Sequence, residues 1–183
     1  GSQLQHPNIV QIIDFDHDEA GRYFLVMEWI EGLDLNRYIK SFIKRGQTTS
    51  WPLMTAIAIE SLRGLRAAHS RTDELGRVAP VIHRDVTPAN ILIGLDGVVK
   101  LTDFGLSRAM DRARMTHPSI VKGKLAYLAP ELSYGNPATP QSDLFSVGVV
   151  LWEALAGKRL YQGQNDIEVF MAARSICCAL GKR

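Results

Sequence analysis

The chain has 183 residues, 46% of them hydrophobic and 22% charged, and a formal net charge of +2. That is the composition of an ordinary soluble domain with a sizeable core, and so small a charge gives no argument for nucleic acid or a membrane surface as a partner. The two cysteines, Cys177 and Cys178, are adjacent, which disfavours an ordinary structural disulfide and matches no metal-ligand spacing. A reducing, cytoplasmic setting is therefore expected. No secretory signal is visible, and the most apolar run, 147–156, is interrupted by Glu153 and too short to span a bilayer. Gly1-Ser2 reads as a cloning scar at the head of a piece of a longer protein.

In chain order, residues 8–15 and 22–29 read as two strands joined by turn residues 18–21. Residues 35–44 form a short amphipathic helical pattern, with Asp34 placed as its N-cap. Pro52, in a first turn after Ser50, opens a longer helix to about Ser70, whose apolar positions Leu53, Ile57, Leu62, Leu65 and Ala68 are expected in the core. A polar connection covers 71–80. After His83-Arg84-Asp85-Val86-Thr87-Pro88-Ala89-Asn90, two short strands, 91–93 and 98–101, are joined by the turn Leu95-Asp96-Gly97. A hairpin there returns Asp103 to the end where Asn90 stands. Asp85, Asn90 and Asp103 then converge, a set that suits a hard divalent cation beside a proton acceptor, as phosphoryl transfer requires. Thr139-Pro140 is a cap and first-turn pair for an apolar helix, and Asp166 starts one more helical pattern.

The stretch His83-Arg84-Asp85 with Asn90 five residues on, followed by Asp103-Phe104-Gly105, resembles the protein kinase family, whose catalytic loop reads HRD-x-x-x-x-N and whose metal motif is DFG. Ala129-Pro130-Glu131 resembles the family's APE motif, and Asp143-Leu144-Phe145-Ser146-Val147-Gly148 its central helix. The expected fold is α+β and kinase-like but truncated: the end of the N-lobe over 1–29, a hinge at 30–34, an incomplete C-lobe over 35–175, and a tail of uncertain origin at 176–183. The resemblance implies that Asp85 orients a substrate hydroxyl and accepts its proton, and that Asn90 and Asp103 hold Mg²⁺. It makes Met27 the gatekeeper, gives adenine contacts to the backbones of Glu28 and Ile30 and a ribose contact to Asp34, and places Leu92 against ATP. An N-cap role for Asp34 stands equally open. His83 is expected to be structural, under Phe104, and Arg84 to clamp a phosphate on the activation segment, where Thr116 and Ser119 are candidate modification sites. The Asp143 side chain is expected to anchor the catalytic loop from below. Glu131, for want of the family's Arg partner, is expected to stand unpaired.

One departure is informative. The family usually places Lys two residues after the catalytic Asp, where this chain has Thr87, and Thr after Gly ahead of the APE motif, where this chain has Lys124. An exchange is implied, with Lys124 supplying the missing charge; the alternative is a surface lysine and impaired catalysis. The implied activity of the whole protein is Ser/Thr protein phosphorylation, with a scaffold that binds without catalysing as the alternative. A small-molecule kinase is disfavoured by the segment before Ala129-Pro130-Glu131. No glycine-rich loop or ATP-clamping Lys is found in the chain, so by itself it is expected to bind ATP poorly, to transfer little phosphate and to expose apolar surface.

Overall fold

The structure is a computed structural model and describes residues 4–104 and 123–180, with side chains to 175. Thr116, Ser119 and the basic residues from 108 to 122 lie outside the described residues.

Alternation of apolar and polar residues around the turn 18–21 gives an antiparallel hairpin, β1 (Ile12–His17) and β2 (Tyr23–Met27), closed by Asp18, whose carboxylate accepts from the backbone of Ala20 and Arg22. The expected first strand is thereby divided. Residues 8–10 do not extend β1 but dock elsewhere: Val10 N–H donates to the Leu101 carbonyl at 2.8 Å, and Leu101 N–H to the Asn8 carbonyl at 2.9 Å. Asn8 is buried and its side-chain amide reaches Glu60 and the Val99 carbonyl, which accounts for the departure.

A second sheet has the order β3 (Gly32–Asp34), β4 (Ile91–Gly94), β5 (Val99–Leu101), all antiparallel. Among the described residues, four α-helices follow the expected order: α1 (Leu35–Ile43), α2 (Trp51–His69), α3 (Pro140–Ala156) and α4 (Asp166–Leu180). Helix α4 runs without a break past residue 175. The core lies among α1, α2, β4, β5 and α3, around Leu35, Ile39, Leu65, Leu101 and Val150. Helix α2 buries Ile57, Leu65 and Ala68 as expected, but not Leu53 or Leu62. Met54, Ile57, Ala58, Ser61, Gly64, Leu65 and Ala68 are inside, at the i, i+3, i+4, i+7 spacing, whereas Leu53 and Leu62 are exposed. The small residues Ser61 and Gly64 set the close approach, a stronger constraint than the bulk of the two leucines.

Thr139 caps α3 reciprocally with Ser142, and Pro140 opens the helix. Its buried face carries Asp143, Ser146, Val147, Val150 and Glu153, but Leu144, Trp152 and Leu155 on the other side are open, so the helix is not enclosed on all sides by the described residues. Phe15, Tyr23 and Trp29, the last 88% exposed, bear out the expected apolar surface on the N-terminal part. No helix among the described residues is long and apolar enough to cross a membrane.

A Cβ at Gly64 would stand 2.8 Å from the Asn8 carbonyl oxygen and 3.3 Å from Leu101 Cδ1. Gly64→Ala must push apart the segment that joins β5 to the N-terminal part. We expect a loss of about 1–3 kcal/mol in denaturant unfolding; an unchanged midpoint would show that this contact yields freely.

Candidate active site

The catalytic loop, 83–90, contains no ladder of its own, so its shape must be imposed by side chains. Asp143, in the first turn of α3 and 1% exposed, does most of this. Its Oδ2 accepts from His83 N–H and its Oδ1 from Arg84 N–H, both at 2.8 Å, while His69 Nε2 lies 2.8 Å from Oδ2. The anchor expected from the sequence is thus present, and His69, at the end of α2, joins it. Arg84 has φ +69°, a left-handed backbone that a bulky residue adopts only when its surroundings enforce it.

His83 is fully buried. Its ring packs on Phe104 with centroids 4.4 Å apart, and its Nδ1 accepts from Asp85 N–H at 3.3 Å. Burial lowers its pKa despite opposing attraction from Asp143 and Asp85, so the imidazole is neutral near pH 7 and acts as a wedge between loop and Phe104.

Of the three expected oxygen-bearing side chains, Asp85 and Asn90 touch, and Asp103 follows two residues after Leu101, whose strand pairs with the one that starts just after Asn90. The amide nitrogen of Asn90 donates to the Asp85 carbonyl at 2.8 Å and to Asp85 Oδ2 at 3.1 Å. Thr102 N–H donates to the Asn90 carbonyl at 3.0 Å, which fixes Asp103 beside Asn90. Asp103 itself has φ +64°, strain that Asp tolerates better than most residues. Among the described residues, neither Asn90 Oδ1 nor the Asp103 carboxylate accepts a hydrogen bond, so both offer oxygen to a cation. No cluster of three or more His, Cys, Asp and Glu occurs among the described residues. Two protein oxygens fit a magnesium ion whose remaining ligands are water and phosphate.

The backbone at 28–30, where the resemblance places the adenine contacts, is open in the same manner. Glu28 N–H is committed to the Gln11 carbonyl at 3.0 Å. The Glu28 carbonyl and both backbone groups of Ile30 have no partner among the described residues, which leaves an open edge. The Glu28 carboxylate accepts from Gln11 N–H at 2.7 Å and from Lys100 Nζ at 2.6 Å. Burial works against its ionisation, but these bonds prevail and hold its pKa below the ordinary value. Lys100 escaped the sequence reading; a lysine between buried Val99 and Leu101 in a short strand was the one available signal. Met27 ends β2 and lines a pocket with Ile9, Leu25, Asp103 and Phe104. Asp34 caps α1 by accepting from Arg37 N–H at 2.9 Å and pairs with Arg37 Nε at 3.2 Å, and Leu92 faces it across the β3–β4 ladder.

On the opposite wall, Lys124 follows Gly123, whose φ of +86° suits glycine alone, and its ammonium contacts Asp85 Oδ2 directly. Glu131 is not unpaired as expected: Ser142 Oγ donates to it at 2.8 Å, a local substitute for a more distant cation.

The protein kinase domain family model matches residues 2–180. The chain belongs to this family. It is 36% identical over 171 residues to the tyrosine-protein kinase MasK of Myxococcus xanthus, covering 93% of this chain and 26% of that protein. It is 35% identical over 170 residues to the serine/threonine-protein kinase PrkC of Bacillus subtilis, covering 92% and 24%. To the serine/threonine-protein kinase PknA of Mycobacterium tuberculosis it is 37% identical over 174 residues, covering 93% and 38%. The chain thus spans between a quarter and two fifths of the length of these relatives. As a kinase domain it has the α+β architecture expected from the sequence.

Two outcomes test the positioning described. Asp143→Ala strands the buried His83 N–H and the half-buried Arg84 N–H, at about 1–3 kcal/mol for a buried donor, and should lower the melting temperature markedly, with Asp143→Asn intermediate. Lys100→Met in the full-length protein should raise KM for ATP several-fold with kcat little changed; an unmoved KM would show that the Glu28–Lys100 pair does not position the hinge.

Proposed function

We propose that the full-length protein transfers the γ-phosphoryl group of ATP to hydroxyl side chains of proteins, with serine and threonine as acceptors, in a cytoplasmic setting. The observation that carries this reading is the contact of Asn90 with Asp85 on a loop held by Asp143, with the backbone just before Asp103 bonded to Asn90. Asp85 orients the acceptor hydroxyl and takes its proton as the new P–O bond forms; the bond from the γ-phosphorus to the bridging oxygen breaks, and ADP leaves with that electron pair. Asn90 and Asp103 hold magnesium, which when bound offsets the phosphate charge. The open backbone of Glu28 and Ile30 takes the adenine edge, Met27 and Leu92 border the base, and Asp34, already a helix cap, keeps an oxygen edge for ribose. Residues 1–29 serve as the end of the N-lobe, 30–34 as the hinge, 35–175 as the C-lobe and 176–183 as a tail.

Retention of all three site oxygens weighs against a scaffold that only binds. Two of the relatives described are named serine/threonine kinases and one a tyrosine kinase. The catalytic loop of this chain lacks the Ala-Ala-Arg or Arg-Ala-Ala pattern of tyrosine kinases, which favours the aliphatic hydroxyls.

Phosphate transfer by the full-length protein to a generic protein substrate with Mg²⁺-ATP should fall by about 10²–10⁴-fold in Asp85→Asn. Phosphoamino-acid analysis of the product should show phosphoserine or phosphothreonine. Product carrying phosphotyrosine alone would overturn the acceptor assignment, and equal transfer by Asp85→Asn would overturn the role of Asp85.

A further inference from the structure

A pocket beside the candidate base is lined by Asp85, Thr87, Lys124, Leu125, Tyr127 and Ser146, among others. Its two walls have different origins. Thr87, buried and uncharged, belongs to the catalytic loop. Lys124 belongs to the segment ahead of Pro130, and its Nζ touches Asp85 Oδ2, the same oxygen that accepts from Asn90.

Lys124 stands on a fixed base. Its carbonyl accepts from Tyr127 N–H at 3.1 Å in a single 3-10 turn, Leu125–Tyr127. The Tyr127 hydroxyl donates to buried Glu153, and Ser146 Oγ donates to the Tyr127 carbonyl at 2.8 Å. Both partners are on α3, the helix that also carries Asp143. One helix therefore positions the base from below and the cation from the side. The Lys124 side chain itself remains 42% exposed, so its head is free to pivot on its four-carbon stem while its backbone is held.

We infer that Lys124 is a catalytic residue that carries positive charge to the phosphoryl group in flight. This rests on the kinase reading above. Charge develops on the transferring group and its neighbours, and a preorganised cation in a shielded cleft stabilises it wherever that cation is rooted in the chain. With the acceptor site empty the ammonium rests on Asp85. An incoming hydroxyl takes its place on that carboxylate, and Nζ is released to turn to the phosphate oxygens. Thr87, on the facing wall, contributes no charge, so a lysine placed there should do the same work from the other side.

The test uses the full-length protein, its Lys124→Met variant, and Lys124→Met combined with Thr87→Lys. Two readouts are taken: kcat for protein phosphorylation, and the ratio of affinities for a non-hydrolysable ATP analogue and for ADP, each with Mg²⁺, by titration calorimetry. Lys124→Met should lower kcat on the order of 10²-fold and shrink the affinity ratio, and adding Thr87→Lys should recover much of both. A kcat that stays near that of the unaltered protein overturns the proposal and leaves the kinase reading standing. A fall without recovery, or with the ratio unmoved, also overturns it and makes Lys124 a structural tether. Should the double variant fail to fold, as judged by its melting curve, Lys124→Arg decides instead, since it keeps the charge and must exceed Lys124→Met in kcat. No transfer from the unaltered protein, with Asp85→Asn equally silent, would overturn the kinase reading and this one with it.

Discussion

A buried carboxylate governs the site. Removing a charge from water costs several kcal/mol unless it is fully compensated, and Asp143 is compensated by two backbone N–H groups and an imidazole. Its place in the first turn of a capped helix adds the favourable end of the helix dipole. The energy that makes this burial tolerable is the same energy that shapes residues 83 and 84, for the loop cannot leave without exposing a bare anion in the core. The left-handed conformation at Arg84 is held by that debt.

The remaining contacts build outward from this anchor in short steps. His83 passes the position of the loop to Phe104 through ring packing, Asp85 is tied to His83 and Asn90, and Asn90 is tied to Thr102. Each link is local, yet the chain of links spans the catalytic loop and the β4–β5 hairpin up to Thr102 and Phe104. Apolar packing then fixes the platform as a whole, with Leu101, Val86 and Ile91 sealed beneath it. Division of labour is clear: the core sets where the platform lies, and the hydrogen bonds set where its oxygens point.

Much of this was legible in the sequence, for identifiable reasons. A tight turn between two apolar pairs predicts a hairpin, and a hairpin forces Asn90 and Asp103 together whatever the rest of the chain does. Thr139-Pro140 announced a helix start by chemistry that is local to a few residues. The parts that were missed depend on contacts distant in the chain. Nothing near Lys100 indicates that its partner is Glu28, or near Asn8 that it will bond Glu60 and Val99. On α2 the helical spacing located Ile57, Leu65 and Ala68 in the core but also included Leu53 and Leu62, where the interface instead admits Ser61 and Gly64. Glu131 found Ser142 eleven residues away, a hydroxyl that already had a role as a cap and gave no sign of a second.

The docking of residues 8–10 along β5 has a mechanical meaning. Asn8 and Val10 clamp Leu101 from either side, and Leu101 lies two residues before Asp103. Gln11, just beyond this clamp, is tied to Glu28, so both strands of the β1–β2 ribbon are fastened at its base. The ribbon is therefore held at its base against β5, the strand that leads into Asp103. Leu101 is thus where the N-terminal ribbon and the backbone running into Asp103 are mechanically joined.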